Sequence, residues 1–449
     1  MRADGEQAVA LCPALFLTAP ASGQGKTTIT AALARLLTRQ GKKVRVFKTG
    51  PDYLDPQILA QASNAPVEQL DLWMAGEAYC QQMLYWAATE CDLILIEGAM
   101  GMFDGDPSSA DLAARFGIPM AIVMDVKGMA QTAAAVATGL ANYRSDINVF
   151  GLIANNCGTE RHAELIRNAL PPSLALLATL KRSETVALPE RHLGLVQAEE
   201  VRDELELRFA AGADWLEEAG LLAAITQLTP VTFTAAPVPA IEPSLQGVTI
   251  GIARDSAFSF IYDANLRLLR KLGAQVIFFS PLHDAILPEV DALWLPGGYP
   301  ELHAATLADN TDLHRQIQRF YRTGKPILAE CGGFLYSLQT LTDLDECQHT
   351  MLGLLDGHGA MRGKRGCQGM QTAVLPEGDI RAHAHHRSRS GDTPEPLAHG
   401  RRQHHPAPGE AIFRVGGLTA SYLHLFFPSN PGAVAQIFGA GKEKRTLNH

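Results

Sequence analysis

Four stretches of this 449-residue chain place chemically capable residues at telling spacings. PASGQGKTT, 20–28, follows a short apolar run and opens a helix-like pattern. Gly23 and Gly25 let backbone N–H groups turn toward phosphate oxygens, and Lys26 reaches the β- and γ-phosphates. The Thr27 hydroxyl suits Mg²⁺, and the helix N-terminus adds partial positive charge. With Gln24 and Thr28 these residues form the predicted ATP site, although Pro20 stands where the usual pattern begins with glycine. In CDLILIEGAMGMFDGD, 91–106, an apolar strand ends at Glu97, the edge of a parallel sheet where ligands bind. Glu97 is placed to hold Mg²⁺ directly or through water. Asp104, on the next loop, is a phosphoryl-transfer candidate; capping a helix near 108–115 is its competing role. FKTGPDYLDP, 47–56, offers Asp52 to the Mg²⁺ shell and Tyr53 and Leu54 to a substrate wall, beside Lys48 and Asp55. Taken alone, that stretch is equally a Pro-bounded turn with helix caps.

The fourth stretch is LAECGGFLYSL, 328–338, in which an apolar run ends in an acid, a cysteine and two glycines. A thiol at a strand-to-helix corner is held under strain, and the helix dipole favours its thiolate. Cys331 is the one cysteine in such a setting; Cys12, Cys80, Cys91 and Cys157 read as packing positions and Cys367 as loop. A thiolate attacking a carbonyl needs oxyanion donors and a base. Gly332, and Gly297-Gly298 of LWLPGGYPE, supply backbone donors. His424, in GLTASYLHLFFPSNP, is the candidate base; a satisfied core histidine is the competing reading.

The elements that position these residues repeat an apolar-strand and amphipathic-helix alternation. ALFLT, VRVFK, DLILIEG, PMAIVMD, INVFGLIAN and LALLATL read as buried strands of a parallel sheet, and 27–39, 129–142 and 199–228 read as helices. The Pro- and Ala-rich segment 229–246 reads as a linker. The alternation restarts at VTIGIARD, so the expected domains are 1–228 and 247–449, both α/β. The segment 385–410, polar, basic and Pro-rich, reads as a mobile surface loop; its histidines are a weak metal candidate.

Composition excludes some classes. The chain is 47% hydrophobic and 19% charged, with a formal charge of −9. The acidic balance argues against general nucleic-acid or membrane-surface binding, and no apolar run approaches a membrane span. The first twenty residues read as a core strand rather than a signal peptide. Seven cysteines without C-x-x-C spacing fit a reducing cytoplasm better than a disulfide frame or zinc knuckle. A homo-oligomer stays open.

The order LPGG, AECGG and a late histidine resembles the class I glutamine amidotransferases, which release ammonia through a cysteine thioester. Their usual acid, two residues past the histidine, is Phe426 here, as in the corrinoid amide synthases that use a Cys–His pair. The N-terminal half resembles the dethiobiotin-synthetase-like P-loop ATPases, and Ala21 departs from the partition-type relatives. Together the motifs resemble the cobyrinic (or hydrogenobyrinic) acid a,c-diamide synthases. That resemblance implies ATP with Mg²⁺, glutamine as nitrogen donor, and amidation of the macrocycle's a and c acetates through an acyl phosphate. It leaves a related tetrapyrrole amide synthase, such as cobyric acid synthase or a nickel-sirohydrochlorin a,c-diamide synthase, as the runner-up. An ATP-switched binding protein with a degenerate amidase domain is the rival of another class. The family's Gly-His-x-x-His-x-Ser stretch reads here as 382–388, with alanine for the glycine, and no role is carried over from it.

Overall fold

The computed structural model describes residues 7–189, 198–363 and 366–446. The chain divides into two compact units, 1–190 with 199–238, and 191–198 with 239–449.

In the first unit seven strands form one parallel sheet. Its spatial order is Glu68–Leu70, Val44–Thr49, Leu93–Glu97, Ala14–Thr18, Met120–Asp125, Val149–Asn155 and Ala175–Thr179. The apolar runs expected to be strands are all here. They are continuous because helices cover both faces, as the wholly buried Ala14–Thr18 and Leu93–Glu97 illustrate. Leu93–Glu97 and Met120–Asp125 flank Ala14–Thr18, so the loops that follow these strands open at one edge of the sheet. The helix Lys26–Arg39 grows from the phosphate loop, with Gly25 as its left-handed N-cap at φ 100°. The long helical reading of 199–228 holds as two helices, Ala198–Glu218 and Leu221–Ile225, parted by Gly220 at φ 77°.

Part of the segment read as a linker is structured. Val231–Thr234 pairs antiparallel with Val9–Cys12, and Phe233 is buried in the first unit's core. The partner strand lies more than 200 residues earlier, which local composition does not reveal.

The second unit has a ten-stranded mixed sheet. Gln275–Phe279, Thr249–Ala253, Ala292–Leu295, Ile327–Glu330 and Leu418–Ser421 run parallel. Pro408–Val415, Ala398–Arg402, Gln368–Leu375, Gly378–His385 and His424–Leu425 continue it antiparallel. A four-stranded sheet includes Thr340–Thr342 and Ser388–Gly391. The expectation of a mobile loop at 385–410 is therefore corrected. Three strands cross it, and its polar character comes from half-exposed positions in a paired ladder. Among the described residues, no helix is long and apolar enough to cross a membrane.

Candidate active sites

In the first unit the loop after Ala14–Thr18 meets the ends of two neighbouring strands. The Thr27 hydroxyl donates to Glu97 Oε1 at 2.7 Å and lies 3.1 Å from Asp55 Oδ2. Lys48 Nζ donates to the same Glu97 oxygen at 3.2 Å and pairs with Asp55 at 3.6 Å. Among the described residues, Glu97 Oε2 is buried without a hydrogen-bond partner. Burial pushes the Glu97 carboxyl up, against the pull of Lys48. Burial also opposes the Lys48 charge, but Glu97, Asp55 and Asp52 outweigh it and leave the ammonium above its ordinary range.

Asp52 has a different immediate task from the one its spacing suggested. Its Oδ1 accepts from the backbone N–H groups of Leu54 and Asp55, fixing the turn into the helix Asp55–Ser63. That turn delivers Asp55 to Thr27. Burial, and then the neighbouring Asp52 charge, push Asp55 up to about 6. Two carboxyl groups forced together next to an orphaned carboxylate oxygen form a donor set that fits a divalent cation. Asp55 and Lys48 were legible only as neighbours of the turn, because their approach to Thr27 depends on how that turn closes.

Lys26 Nζ donates to Met100 O at 2.8 Å. Burial, then the nearby Lys48 charge, lower its pKa to about 8. Gln24 anchors the loop rather than merely lining it: its Oε1 accepts from Asp125 N, and its carbonyl accepts from Asn155 Nδ2. Any Cβ at Gly25 would stand 2.4 Å from Asn155 Nδ2, so glycine is required at this contact as well as for its φ. Asn155 had no sequence signal beyond ending a strand. Thr28 lies in the first turn of the same helix. Tyr53 is buried and Leu54 half-buried on the Asp52 turn. Asp104 does not cap the following helix; Ser108 does, in a capping box with Asp111. Asp104 instead packs against Gly101, whose added Cβ would meet Asp104 Oδ2 at 2.4 Å and Pro20 O at 2.8 Å.

In the second unit Cys331 joins Ile327–Glu330 to the helix Gly332–Ser337. Its φ of 46° and ψ of −102° lie outside the regions favoured by L-residues, a strain confined to the corner that presents the thiol. The predicted residues converge on it. A Cβ at Gly332 would meet Gly298 N at 2.9 Å, and one at Gly297 would meet His424 Cε1 at 2.3 Å. Cys331 N donates to Ser421 O, three residues before His424.

The surroundings work against the expected thiolate. Burial above all, then the Glu301 charge, pushes the Cys331 thiol far up, and the Gly332 amide only partly offsets this. The helix it caps has just six residues, too short to overcome desolvation. His424 is held well below its ordinary range by burial and by His383, His385 and His386. Burial thus favours the neutral form of both groups.

An open cavity of about 800 Å³ adjoins this site, lined among others by His386, Ser388, Arg389, Glu410 and Tyr422. Cys331 Sγ donates to the carbonyl of His385, the residue before His386, at 3.6 Å. His386 stacks on Tyr422 at 3.6 Å between centroids and pairs with Glu410 at 2.7 Å. Of these lining residues only His386 carries a sequence signal, as one of the weak metal-candidate histidines, and its ligand atom lies within 4.8 Å of those of Cys367 and Glu410.

The two units thus define a nucleotide-binding module and a cysteine amidotransferase module on one chain. Residues 15–196 match the CobQ/CobB/MinD/ParA nucleotide binding domain, and residues 249–432 match the CobB/CobQ-like glutamine amidotransferase domain. A hydrogenobyrinate a,c-diamide synthase of Pseudomonas aeruginosa is 52% identical over 97% of this chain and 99% of its own length. One from Stutzerimonas stutzeri is 52% identical over 95% of this chain and 98% of its own. A cobyrinate a,c-diamide synthase of Herminiimonas arsenicoxydans is 46% identical over 94% and 96%. The chain belongs to this family of a,c-diamide synthases.

Proposed function

We infer that the protein amidates the a and c acetate carboxylates of hydrogenobyrinic or cobyrinic acid, using ATP and glutamine. The observation that carries this reading is the presence of both half-sites in one chain of this family. A carboxylate does not accept ammonia at neutral pH, because oxide is a poor leaving group. The nucleotide unit supplies the activation: the acetate oxygen attacks the γ-phosphate of ATP, ADP departs, and Gly25 and Lys26 grip the transferring phosphoryl group as the acyl phosphate forms. Mg²⁺ fits Thr27, Glu97 and the Asp52–Asp55 pair, and would neutralise charge on the phosphates. Asp104, Tyr53 and Leu54 line the side from which the acetate approaches.

In the second unit glutamine enters the cavity beside Cys331. The thiol attacks the amide carbon while its proton passes to His424, and His424 returns a proton to the departing ammonia. Gly297, Gly298 and Gly332 stabilise the oxyanion by backbone donors. Water then cleaves the thioester, and the ammonia attacks the acyl phosphate, releasing phosphate.

Paired variants test the assignment. Cys331→Ala abolishes glutamine-dependent amidation and retains amidation from high ammonium; loss of both overturns the two-site account. Lys26→Ala stops amidation from either nitrogen source, and full activity in that variant refutes the acyl-phosphate step. Mass spectrometry of products from cobyrinic and hydrogenobyrinic acids counts the amides added and identifies the preferred ring.

A further inference from the structure

Glu330 immediately precedes the nucleophile and has no part in the chemistry above. It is 3% exposed, yet both carboxylate oxygens are engaged. Trp294 Nε1 donates to Oε1 at 2.5 Å, and the backbone N–H of Leu425 donates to Oε2 at 2.6 Å. Trp294 lies on Ala292–Leu295, the strand that runs into Gly297-Gly298. Leu425 directly follows His424. One carboxylate therefore ties together the ends of the three segments that carry the nucleophile, the oxyanion donors and the base.

Phe426, where the resemblance would place a third triad acid, is fully buried and edge-on to Tyr262. The segment that follows His424 is held by its backbone instead. Asn265 Nδ2 donates to Leu425 O at 2.9 Å, and its Oδ1 accepts from Phe427 N at 2.8 Å. Phe426 N donates to Arg381 O at 2.8 Å, and His424 sits opposite His383 in the ladder. A buried carboxyl is costly unless its hydrogen bonds compensate, and an apolar side chain would pack there at less expense. Burial pushes this one up, and the Leu425 and Trp294 donors, one on each oxygen, pull the other way toward the carboxylate.

We propose that Glu330 is a positioning residue for the glutaminase. It takes the place of the absent triad acid by fixing His424 against Cys331 through the Leu425 backbone rather than through the imidazole ring. Glutamine would not substitute: its side chain has one acceptor oxygen, so its amide N–H₂ would face one of the two N–H donors and leave it unsatisfied.

The inference rests on Cys331 being the nucleophile, so Cys331→Ala is assayed in parallel with Glu330→Gln in the full chain. Glu330→Gln lowers the glutaminase kcat by about 10- to 100-fold, the effect of leaving one buried donor unpaired, with the KM for glutamine unchanged. Ammonium-dependent amidation, which bypasses the thiol, is retained and reports that the chain has folded. Asn265→Ala, which loosens the same backbone segment from its other side, gives the same kcat-only loss. A wild-type glutaminase kcat in Glu330→Gln overturns the proposal. So does a parallel fall in kcat, glutamine affinity and ammonium-dependent activity in both variants, because that is the signature of general destabilisation. Glutaminase activity surviving in Cys331→Ala overturns the nucleophile assignment instead.

Discussion

At the residue scale the two sites are set by opposite uses of burial. In the nucleotide unit, burial gathers Lys26, Lys48, Asp55 and Glu97 so that each offsets another's charge. In the amidotransferase unit it favours the neutral forms of Cys331 and His424. Glu301, Glu410 and Glu330 lie near Cys331, and negative charge on any of them disfavours a thiolate. A thiol with a raised pKa is protonated at neutral pH, and its thiolate fraction grows tenfold per pH unit below that pKa. Alkylation of Cys331 by iodoacetamide without glutamine is therefore slow at pH 7 and still rising at pH 9. Peptide mass spectrometry reads it, with the exposed Cys347 as internal reference. A plateau below pH 8 would show a preformed thiolate. Glu97→Gln, which removes the orphaned anionic oxygen, weakens Mg²⁺-dependent ATP turnover by at least tenfold, the scale of a lost charged interaction. Raising Mg²⁺ restores part of it; insensitivity to Mg²⁺ would exclude Glu97 from the metal's surroundings.

At the scale of elements, legibility followed how local the forces are. The parallel strands and the phosphate loop were readable because a strand covered on both faces is apolar without interruption, and a phosphate loop needs glycine within three residues of lysine. The strands within 385–410 were not readable. They are half-exposed, carry Arg, His and Pro, and owe their existence to partners such as Gln368–Leu375 and Thr340–Thr342's sheet. Asp55 is legible in the sequence only as a neighbour of the turn, since the Asp52 cap that aims it forms only when the turn closes. Val231–Thr234 is the sharpest case, a strand with its partner at the other end of the unit. Its Phe233 is 3% exposed and belongs to the core beneath Cys12 and Leu84. Phe233→Ala accordingly costs about 3–5 kcal/mol of that unit's stability, the range for deleting a buried aromatic ring. Denaturant unfolding read through ATP-site activity measures it. A loss below 1 kcal/mol would show that the strand pair is dispensable.

At the scale of the whole molecule, joining two sites in one chain has a chemical reason. Free ammonia at neutral pH is mostly protonated, and the ammonium ion has no lone pair with which to attack an acyl phosphate. Ammonia released to bulk water is also diluted far below its local concentration where it is made. A chain that makes and uses ammonia internally avoids both losses, which is an effective-concentration advantage rather than a new contact. The comparison that isolates this advantage uses two single variants. Lys26→Ala keeps the glutaminase and loses activation; Cys331→Ala keeps activation and loses the glutaminase. An equimolar mixture contains every catalytic group of the wild type, but each ammonia molecule must leave one chain and find another. At pH 7 the mixture should amidate at under a tenth of the wild-type rate with glutamine, rising as pH increases and more of the released nitrogen is unprotonated. Added glutamate dehydrogenase with its co-substrates, which consumes free ammonia, should silence the mixture and leave the wild type untouched. A mixture matching the wild type, or a wild type equally sensitive to the scavenger, would mean that nitrogen passes through bulk solvent and that the two sites share a chain for some other reason.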